Sequence, residues 1–134
     1  MNCRLMDLRV NGDERGKLVA VEKGVNCPFE VKRAFYIFGT KDKARRGCHA
    51  NRKSQFLFIA LKGSCRVEFS DGNAEESVLL DSPTKALWLD KMIWKEMFDF
   101  SEDAVLLVLS SEKYDAGEYI RSREEFLKAK EAKK

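Results

Sequence analysis

The chain has 134 residues, a length typical of one folded domain, and contains 44% hydrophobic and 35% charged residues. A domain of this size buries a core without disulfide or metal staples, and the composition excludes a disordered or fibrous chain. The net charge of +3, from 25 basic and 22 acidic residues, argues against a nucleic-acid binder, which would carry a larger basic excess.

Location and redox state follow from the apolar runs and the cysteines. No run approaches the roughly 20 apolar residues of a membrane helix, and positions 1–10 carry charges that a secretory signal lacks. We therefore expect a cytoplasmic protein with no membrane partner. The four cysteines are widely spaced without a C-x-x-C pair, which favours free thiols, mostly in the core. They are Cys3, Cys27, Cys48 and Cys65.

Short β-strands are predicted along most of the chain, because β-branched and aromatic residues recur between turn residues. Turns are predicted at 14–16 and 71–73, and a turn at 61–64 joins its two flanking strands into a hairpin. The run 104–109 is continuously apolar, which is typical of a strand buried on both faces. The predicted strands are residues 18–22, 31–38, 55–60, 65–69, 77–80, 86–89, 94–100 and 104–109.

The tail is the one segment with a helical composition. Residues 122–134 are rich in Glu, Lys, Ala and Leu, with Phe126 and Leu127 on one face. Many short strands followed by one helix predict an all-β sandwich or barrel, in a single domain spanning residues 1–134. The sequence has no internal repeat, no glycine-rich phosphate loop and no G-x-S-x-G nucleophile motif.

The polar residues that could carry chemistry surround the single histidine, His49, which follows two arginines and a glycine. Strand alternation places His49 and Asn51 on one face, and Arg33 and Tyr36 on opposite faces of a strand that we expect to be its neighbour. Imidazole, amide, guanidinium and phenol groups then predict a polar pocket at a barrel mouth. The alternative is structural: a lone histidine, paired surface arginines and a tyrosine among phenylalanines are each common without function.

Colinear segments over nearly the whole chain resemble the nucleotide-sugar 3,4-ketoisomerases, or WxcM-like cupins. Their shared order is more specific than any one motif. The matching segments are residues 13–22, 28–37, 46–50, 55, 61–67, 71–72, 80–83, 94–97, 99–101, 108–111, 114–115 and 119–121.

The resemblance implies an all-β cupin or jelly-roll barrel with a short C-terminal helix. It also implies a homodimer with strands exchanged between subunits. The implied reaction moves the keto group of dTDP-4-keto-6-deoxyglucose from C4 to C3 through an enediol, in deoxy- and amino-sugar biosynthesis. Neither a metal nor another cofactor is implied, and the expected partner is a dTDP-linked keto sugar.

The resemblance also implies roles for single residues. His49 fits the base that removes the C3 proton, because an imidazole titrates near neutral pH. Tyr36 fits a hydroxyl donor or proton relay. Arg46 fits a sugar-oxygen or phosphate contact, because a guanidinium presents a planar fork of donors. Arg33 and Gln55 are further candidates for contacts with the nucleotide sugar.

Two positions depart from the family pattern. Asn51 stands where the family's His-Ala-His motif has its second histidine, and an amide does not titrate at neutral pH. We therefore hypothesise that Asn51 replaces a catalytic histidine, by construction or by divergence, and lowers activity. Lys95 stands where several relatives have histidine, and in the pocket it would bias which face of C4 is reprotonated; the alternative is a solvent-facing lysine.

Three interpretations follow from these observations. The first is a sugar-nucleotide ketoisomerase, and the second is a catalytically weak cupin that binds a nucleotide sugar without turnover, which Asn51 favours. The third is a structural β domain, which the colinear resemblance argues against. A cupin metal site is not expected, since such a site needs several histidines and a carboxylate and the chain has one histidine.

Overall fold

The computed structural model describes residues 1–41 and 43–132. It contains twelve β-strands, one 3-10 helix and one α-helix in the described residues. The strands are β1 Cys3–Asp7, β2 Asn11–Asp13, β3 Gly16–Leu18, β4 Arg33–Phe38, β5 Arg46–Asn51, β6 Phe56–Lys62, β7 Cys65–Ser70, β8 Glu75–Leu80, β9 Lys85–Leu89, β10 Trp94–Phe98, β11 Val105–Ser110 and β12 Tyr119–Ile120. The 3-10 helix spans Ala116–Glu118, and helix α1 spans Arg123–Glu131.

Two five-stranded antiparallel sheets form the barrel, with the strand orders β1-β9-β6-β11-β4 and β12-β5-β10-β7-β8. We call them the first and the second sheet. Strands β2 and β3 pair only with each other, as a short hairpin. The chain crosses between the two sheets several times, as in a jelly roll. The expected all-β cupin or jelly-roll architecture with a short C-terminal helix is confirmed.

The core lies between the two sheets and draws on strands of both. On β7, Cys65, Val67 and Phe69 point inward and are buried, whereas Arg66, between the first two, is exposed. This alternation follows from the two-residue period of a strand. Each fully buried large apolar side chain contributes about 1.5–3 kcal/mol. Other members are Ile37, Phe56, Phe58, Leu80, Leu87, Leu89, Met97, Leu106 and Val108.

A second apolar layer covers the outer face of the first sheet. Side chains from the segments before β4 pack onto outward-facing residues of β6, β9 and β11. This cover explains why the apolar run of β11 has partners on both of its faces, as its sequence predicts. The buried members are Leu8, Cys27, Phe29, Leu57, Ile59, Ala86 and Leu109.

Strand pairing differs from the sequence prediction at two places. The predicted hairpin over 55–69 is wrong, because β6 lies in the first sheet and β7 in the second. The hairpin partner of β7 is instead β8, across the turn in which Asp71 Oδ1 accepts hydrogen bonds from two backbone amides. The predicted strand 18–22 is also wrong: β3 ends at Leu18, and the residues after it pack on the outer layer without strand pairing.

Helix α1 closes one side of the second sheet. Its N-cap is Ser122, whose hydroxyl accepts a hydrogen bond from the Glu125 amide. Phe126 is fully buried, with its ring centroid 6.0 Å from that of Trp94. Leu127 is 43% exposed, so of these two apolar residues Phe126 alone is buried. Residues 133–134 of the predicted helix lie outside the described residues.

The four cysteines are free thiols, with Cys27 and Cys65 buried and the other two half-buried. The prediction of free thiols is therefore confirmed, and half of them are core residues. Within the described part of the chain, no helix is long and apolar enough to cross a membrane.

Candidate active site

A β-bulge in β5 orients the histidine. His49 lies opposite Lys95 and Gly47 lies opposite Glu96, so Cys48 has no opposite residue on β10. Gly47 has a φ of 82° and Cys48 a φ of 54°, both in the left-handed region. A β-carbon at residue 47 would lie 3.1 Å from the sulfur of Met97 and 3.2 Å from the Lys95 carbonyl oxygen, which favours glycine there.

The strand after the bulge places two polar residues inside the barrel. Ala50 packs outward toward Ile120 and Phe126, so His49 and Asn51 on either side of it face inward. His49 is half-buried, whereas Asn51 is only 1% exposed. The expectation that His49 and Asn51 share a strand face is confirmed.

Lys95 joins this interior group from the neighbouring strand. It is 2% exposed, and its Nζ donates a hydrogen bond of 3.3 Å to Asn51 Oδ1. The Nζ also lies 4.6 Å from the centroid of the Phe56 ring. The solvent-facing alternative for Lys95 is therefore wrong, and the lysine points into the barrel interior.

The edge strand β12 and the opposite sheet complete the group. Tyr119 pairs with Asn51 in register, and its ring centroid lies 4.9 Å from that of His49. Arg33, at the start of β4 in the first sheet, donates a 3.3 Å hydrogen bond from Nη1 to the Tyr119 hydroxyl. Its guanidinium also stacks over Phe35 and Tyr114, at 4.5 and 5.1 Å from their ring centroids. The group thus spans both sheets at one end of the barrel.

A buried carboxylate lies next to these residues. Glu118, in the 3-10 helix, accepts hydrogen bonds from the Ser54 hydroxyl and from the backbone amides of Lys53 and Ser54, the last two at 3.0 and 2.9 Å. Burial by itself would raise the pKa of Glu118, but these hydrogen bonds outweigh it and the pKa is lowered. Glu118 therefore stays ionised and supplies negative charge close to Lys95.

The environment separates the protonation states of the two basic groups. Burial, together with the positive charge of Lys95, lowers the pKa of His49 to about 4. Burial lowers the pKa of Lys95 from 10.5 to about 7, and the charge of Glu118 opposes that shift. At neutral pH the imidazole is therefore neutral and able to accept a proton, while the amine populates both of its forms.

The structure brings together four of the residues selected from the sequence: His49, Asn51, Arg33 and Lys95. Arg46 is exposed at the start of β5, before the bulge, so its assigned contact with substrate stays a prediction. The prediction that β4 is a neighbour of β5 is wrong, because the two strands lie in different sheets.

Two selected residues lie elsewhere. Tyr36 was expected to add its phenol to the interior, but its side chain is on the outer face of β4, 64% exposed and stacked against Phe38. The inward phenol comes from Tyr119 instead. Gln55 precedes β6, and its Oε1 accepts a 3.0 Å hydrogen bond from the indole of Trp88, which belongs to the outer apolar layer. The structure therefore does not bring Tyr36 or Gln55 to His49.

Sequence reasoning missed Tyr119 and Glu118 as members of the site. The only signal was the inclusion of residues 119–121 among the segments that resemble the family. A two-residue strand has no measurable periodicity, so β12 could not be predicted from its pattern. Within residues 1–41 and 43–132, no three His, Cys, Asp or Glu side chains are grouped as metal ligands would be.

Comparison with known proteins gives a consistent set of relatives. The family model described as "FdtA: WxcM-like, C-terminal" matches residues 1–131. A TDP-4-oxo-6-deoxy-alpha-D-glucose-3,4-oxoisomerase from Aneurinibacillus thermoaerophilus is 47% identical over 128 residues, which cover 96% of this chain and 92% of the relative.

Solved structures agree with this result. WlaRA, a TDP-fucose-3,4-ketoisomerase from Campylobacter jejuni, superposes with a TM-score of 0.94 at 44% identity, covering 97% of this chain and 96% of its own. QdtA, a sugar 3,4-ketoisomerase from Thermoanaerobacterium thermosaccharolyticum in complex with TDP, gives a TM-score of 0.93 at 32% identity. That match covers 98% of this chain and 96% of QdtA.

Proposed function

The chain belongs to the FdtA family of WxcM-like proteins and is a sugar-nucleotide 3,4-ketoisomerase, and we propose that it acts on dTDP-4-keto-6-deoxyglucose with His49 as its base. The observation that carries the proposal is the half-buried, neutral imidazole of His49 inside a barrel that superposes on 3,4-ketoisomerases over nearly its whole length. The ligand class is a TDP-linked sugar, which the complex of QdtA with TDP supports.

The chemistry requires a base and hydrogen-bond donors. The C3 proton is acidic because it is α to the C4 carbonyl, and its removal by His49 gives an enediol after O4 takes up a proton. Loss of the O3 proton and protonation of C4 then complete the transfer of the keto group. A neutral imidazole accepts the first proton, and fixed donors stabilise the charge that develops on oxygen.

The donors come from the groups around His49. Arg33 and Tyr119 form a hydrogen-bonded pair beside the imidazole, and a guanidinium there suits sugar oxygens or the diphosphate. Arg46, exposed at the start of β5, is free to contact the same ligand from outside the barrel. Because the interior is partly closed to water, the interactions of Arg33 and Tyr119 are stronger there than they would be in solution.

Asn51 sets the level of activity. Its side chain is buried next to the lysine and cannot titrate, and among the described residues its Nδ2 has no hydrogen-bond partner. A chain with histidine at this position would have a second titrating group in the pocket. We therefore propose that Asn51 lowers turnover.

The substitution Asn51→His tests this proposal. We expect kcat to rise by about tenfold or more, because a positioned acid or base contributes about 10²–10⁴-fold to a proton transfer. The measurement is conversion of dTDP-4-keto-6-deoxyglucose, with Asn51→Gln as the non-titrating control. If Asn51→His does not raise kcat above the control, residue 51 is not the position of a missing proton carrier.

A second candidate function is binding of a nucleotide sugar without turnover, and the non-titrating Asn51 favours it. Incubation with dTDP-4-keto-6-deoxyglucose in heavy water distinguishes the two. Solvent deuterium at C3 or C4 of the sugar requires catalysis. Saturable binding with no deuterium in the sugar identifies a binding protein.

Lys95 is also proposed to influence the configuration at C4, because it lies in the barrel interior on the strand next to that of His49. The variant Lys95→His should change the ratio of gluco to galacto product, read from the proton NMR couplings of the product. An unchanged ratio would remove this role.

We further propose a homodimer with exchanged strands. Tyr36 and Phe38 form a stacked aromatic pair, with ring centroids 5.9 Å apart, on the outer face of the edge strand β4, and the rings are 64% and 67% exposed. All six residues of the β2–β3 hairpin are exposed as well. An exposed aromatic pair and a hairpin that projects from the barrel are features of surfaces that a partner covers.

A further inference from the structure

Lys95 is an unusual residue for the barrel interior, because its side chain carries an amine. The residue lies directly opposite His49 on the adjacent strand, so both side chains point to the same side of the second sheet. Its Nζ contacts the Asn51 amide oxygen and the face of Phe56. Two nitrogen bases thus lie side by side in the barrel interior on neighbouring strands, next to Asn51, which cannot titrate.

Packing alone does not explain this lysine. Burying an ammonium group costs several kcal/mol unless a carboxylate pairs with it. Within the described part of the chain, no carboxylate lies within 4.0 Å of the Lys95 Nζ, and Glu118 is occupied by Ser54 and two backbone amides. A methionine would fill the same space at lower cost, so the retained amine indicates a chemical role.

We propose that Lys95 is the second proton carrier of this enzyme, and that its ammonium delivers the proton to C4 in place of the imidazole absent at Asn51. The proposal rests on the proposed ketoisomerase function and names the residue that acts in the second proton transfer of that reaction. Asn51 then has a positioning role, because its Oδ1 accepts a hydrogen bond from the Lys95 Nζ and fixes the direction of the amine.

The proton transfers balance without an oxidant. His49 takes the C3 proton, the C–H electron pair forms the C3=C4 double bond, and the carbonyl π pair moves to O4, which takes the proton from the imidazolium. His49 then removes the O3 proton and that O–H pair forms the C3 carbonyl. The C3=C4 pair takes a proton from the Lys95 ammonium at C4, and exchange with water restores both side chains.

The surroundings of Lys95 suit this role. The groups that face it are His49 and Asn51 from β5, Glu118 from the 3-10 helix, Phe69 opposite it on β7 and Phe56 from the first sheet. Among the described residues Glu118 is the anion that acts on the amine, but burial dominates, so the pKa of Lys95 is about 7. A donor whose pKa is near the working pH releases and regains a proton readily.

Two variants test the role of Lys95. Lys95→Arg keeps the positive charge but does not release a proton, since a guanidinium stays protonated, and Lys95→Met keeps the volume without charge. The assay follows dTDP-4-keto-6-deoxyglucose in heavy water. For both variants we expect product formation to fall by about 100-fold or more, while deuterium exchange at C3 of recovered substrate falls by less than about tenfold.

Controls make the result decisive. Titration with TDP and circular dichroism establish that each variant is folded and binds the nucleotide. In the Asn51→His background, Lys95→Arg should reduce product formation by less than about tenfold, because the new imidazole donates to C4. Product formation by Lys95→Arg within threefold of the unmodified chain overturns the proposal, as does an equal loss in both backgrounds.

The outcomes also separate this proposal from the proposed function. If the unmodified chain yields neither product nor deuterated sugar, both proposals are overturned. If it turns over and both Lys95 variants lose C3 exchange in parallel with product, the ketoisomerase function stands. In that case the lysine serves the first proton transfer, and its assignment to C4 is wrong.

Discussion

At the scale of single residues, the interior of the barrel contains one titrating base of the expected kind and one that the sequence left open. His49 was expected from its residue type, and its inward direction follows from strand alternation. For Lys95, the sequence left a choice between solvent and pocket. That choice depends on which face of β10 meets the core. Trp94 and Glu96, on either side of Lys95, lie on the outer face of the strand, so Lys95 points inward.

The buried lysine predicts a pH-dependent stability. Its folded pKa of about 7 lies below the ordinary value of 10.5, so between these values the unfolded chain binds more protons than the folded one. Stability therefore rises with pH through that range, and the penalty is fully present below pH 7. Lys95→Met should be the more stable protein by several kcal/mol at pH 6, with the difference vanishing near pH 10.5.

Urea unfolding at several pH values between 6 and 10 measures this difference. The matched control is Lys91→Met, because Lys91 is exposed in the same region of the chain. A constant difference in unfolding free energy between Lys95→Met and the unmodified chain across this range would contradict the prediction.

At the scale of elements, the bulge in β5 connects backbone conformation to the site. Two consecutive residues with positive φ, Gly47 and Cys48, absorb one extra residue and bring His49 into register with Lys95. The sequence signal was a glycine two positions before the histidine. It predicted a bend or close approach but not the bulge, since a bulge is defined by its partner strand.

Gly47→Ala should therefore affect both stability and activity. A β-carbon would press on Met97 and on the Lys95 carbonyl at a φ of 82°, and we expect a loss of about 1–3 kcal/mol in unfolding free energy with at least a tenfold loss in kcat. Gly24→Ala is the matched control, because Gly24 has a φ of 83° and no atom within 4 Å of an added β-carbon. Equal effects of the two substitutions on kcat would show that the bulge does not position His49.

At the scale of the whole molecule, the uncovered part of the first sheet is the notable surface. The outer apolar layer ends before the β4 edge, where Tyr36 and Phe38 remain exposed. The segment between β3 and β4 covers the remainder of that face. A second subunit covering the aromatic pair would complete the layer, which is the physical reason for proposing the homodimer.

Sedimentation velocity tests the assembly. We expect the unmodified chain to sediment as a dimer and the double variant Tyr36→Asp with Phe38→Asp to sediment as a monomer, because two charges would be buried without partners in the interface. Leu79→Asp on β8, whose leucine is 44% exposed, is the control and should remain dimeric. An unmodified chain that sediments as a monomer would contradict the homodimer.

The amino-acid sequence alone determined the positions of most strands, the terminal helix, the family and the non-titrating side chain at residue 51, because these depend on residue type and on periods of a few residues. Tertiary structure alone decided which strands pair, since a two-residue period specifies the faces of a strand and leaves its partner open. For that reason β6 and β7 separate into different sheets. For the same reason Tyr119, rather than Tyr36, supplies the phenol beside His49, because closing the barrel joins segments 70 residues apart.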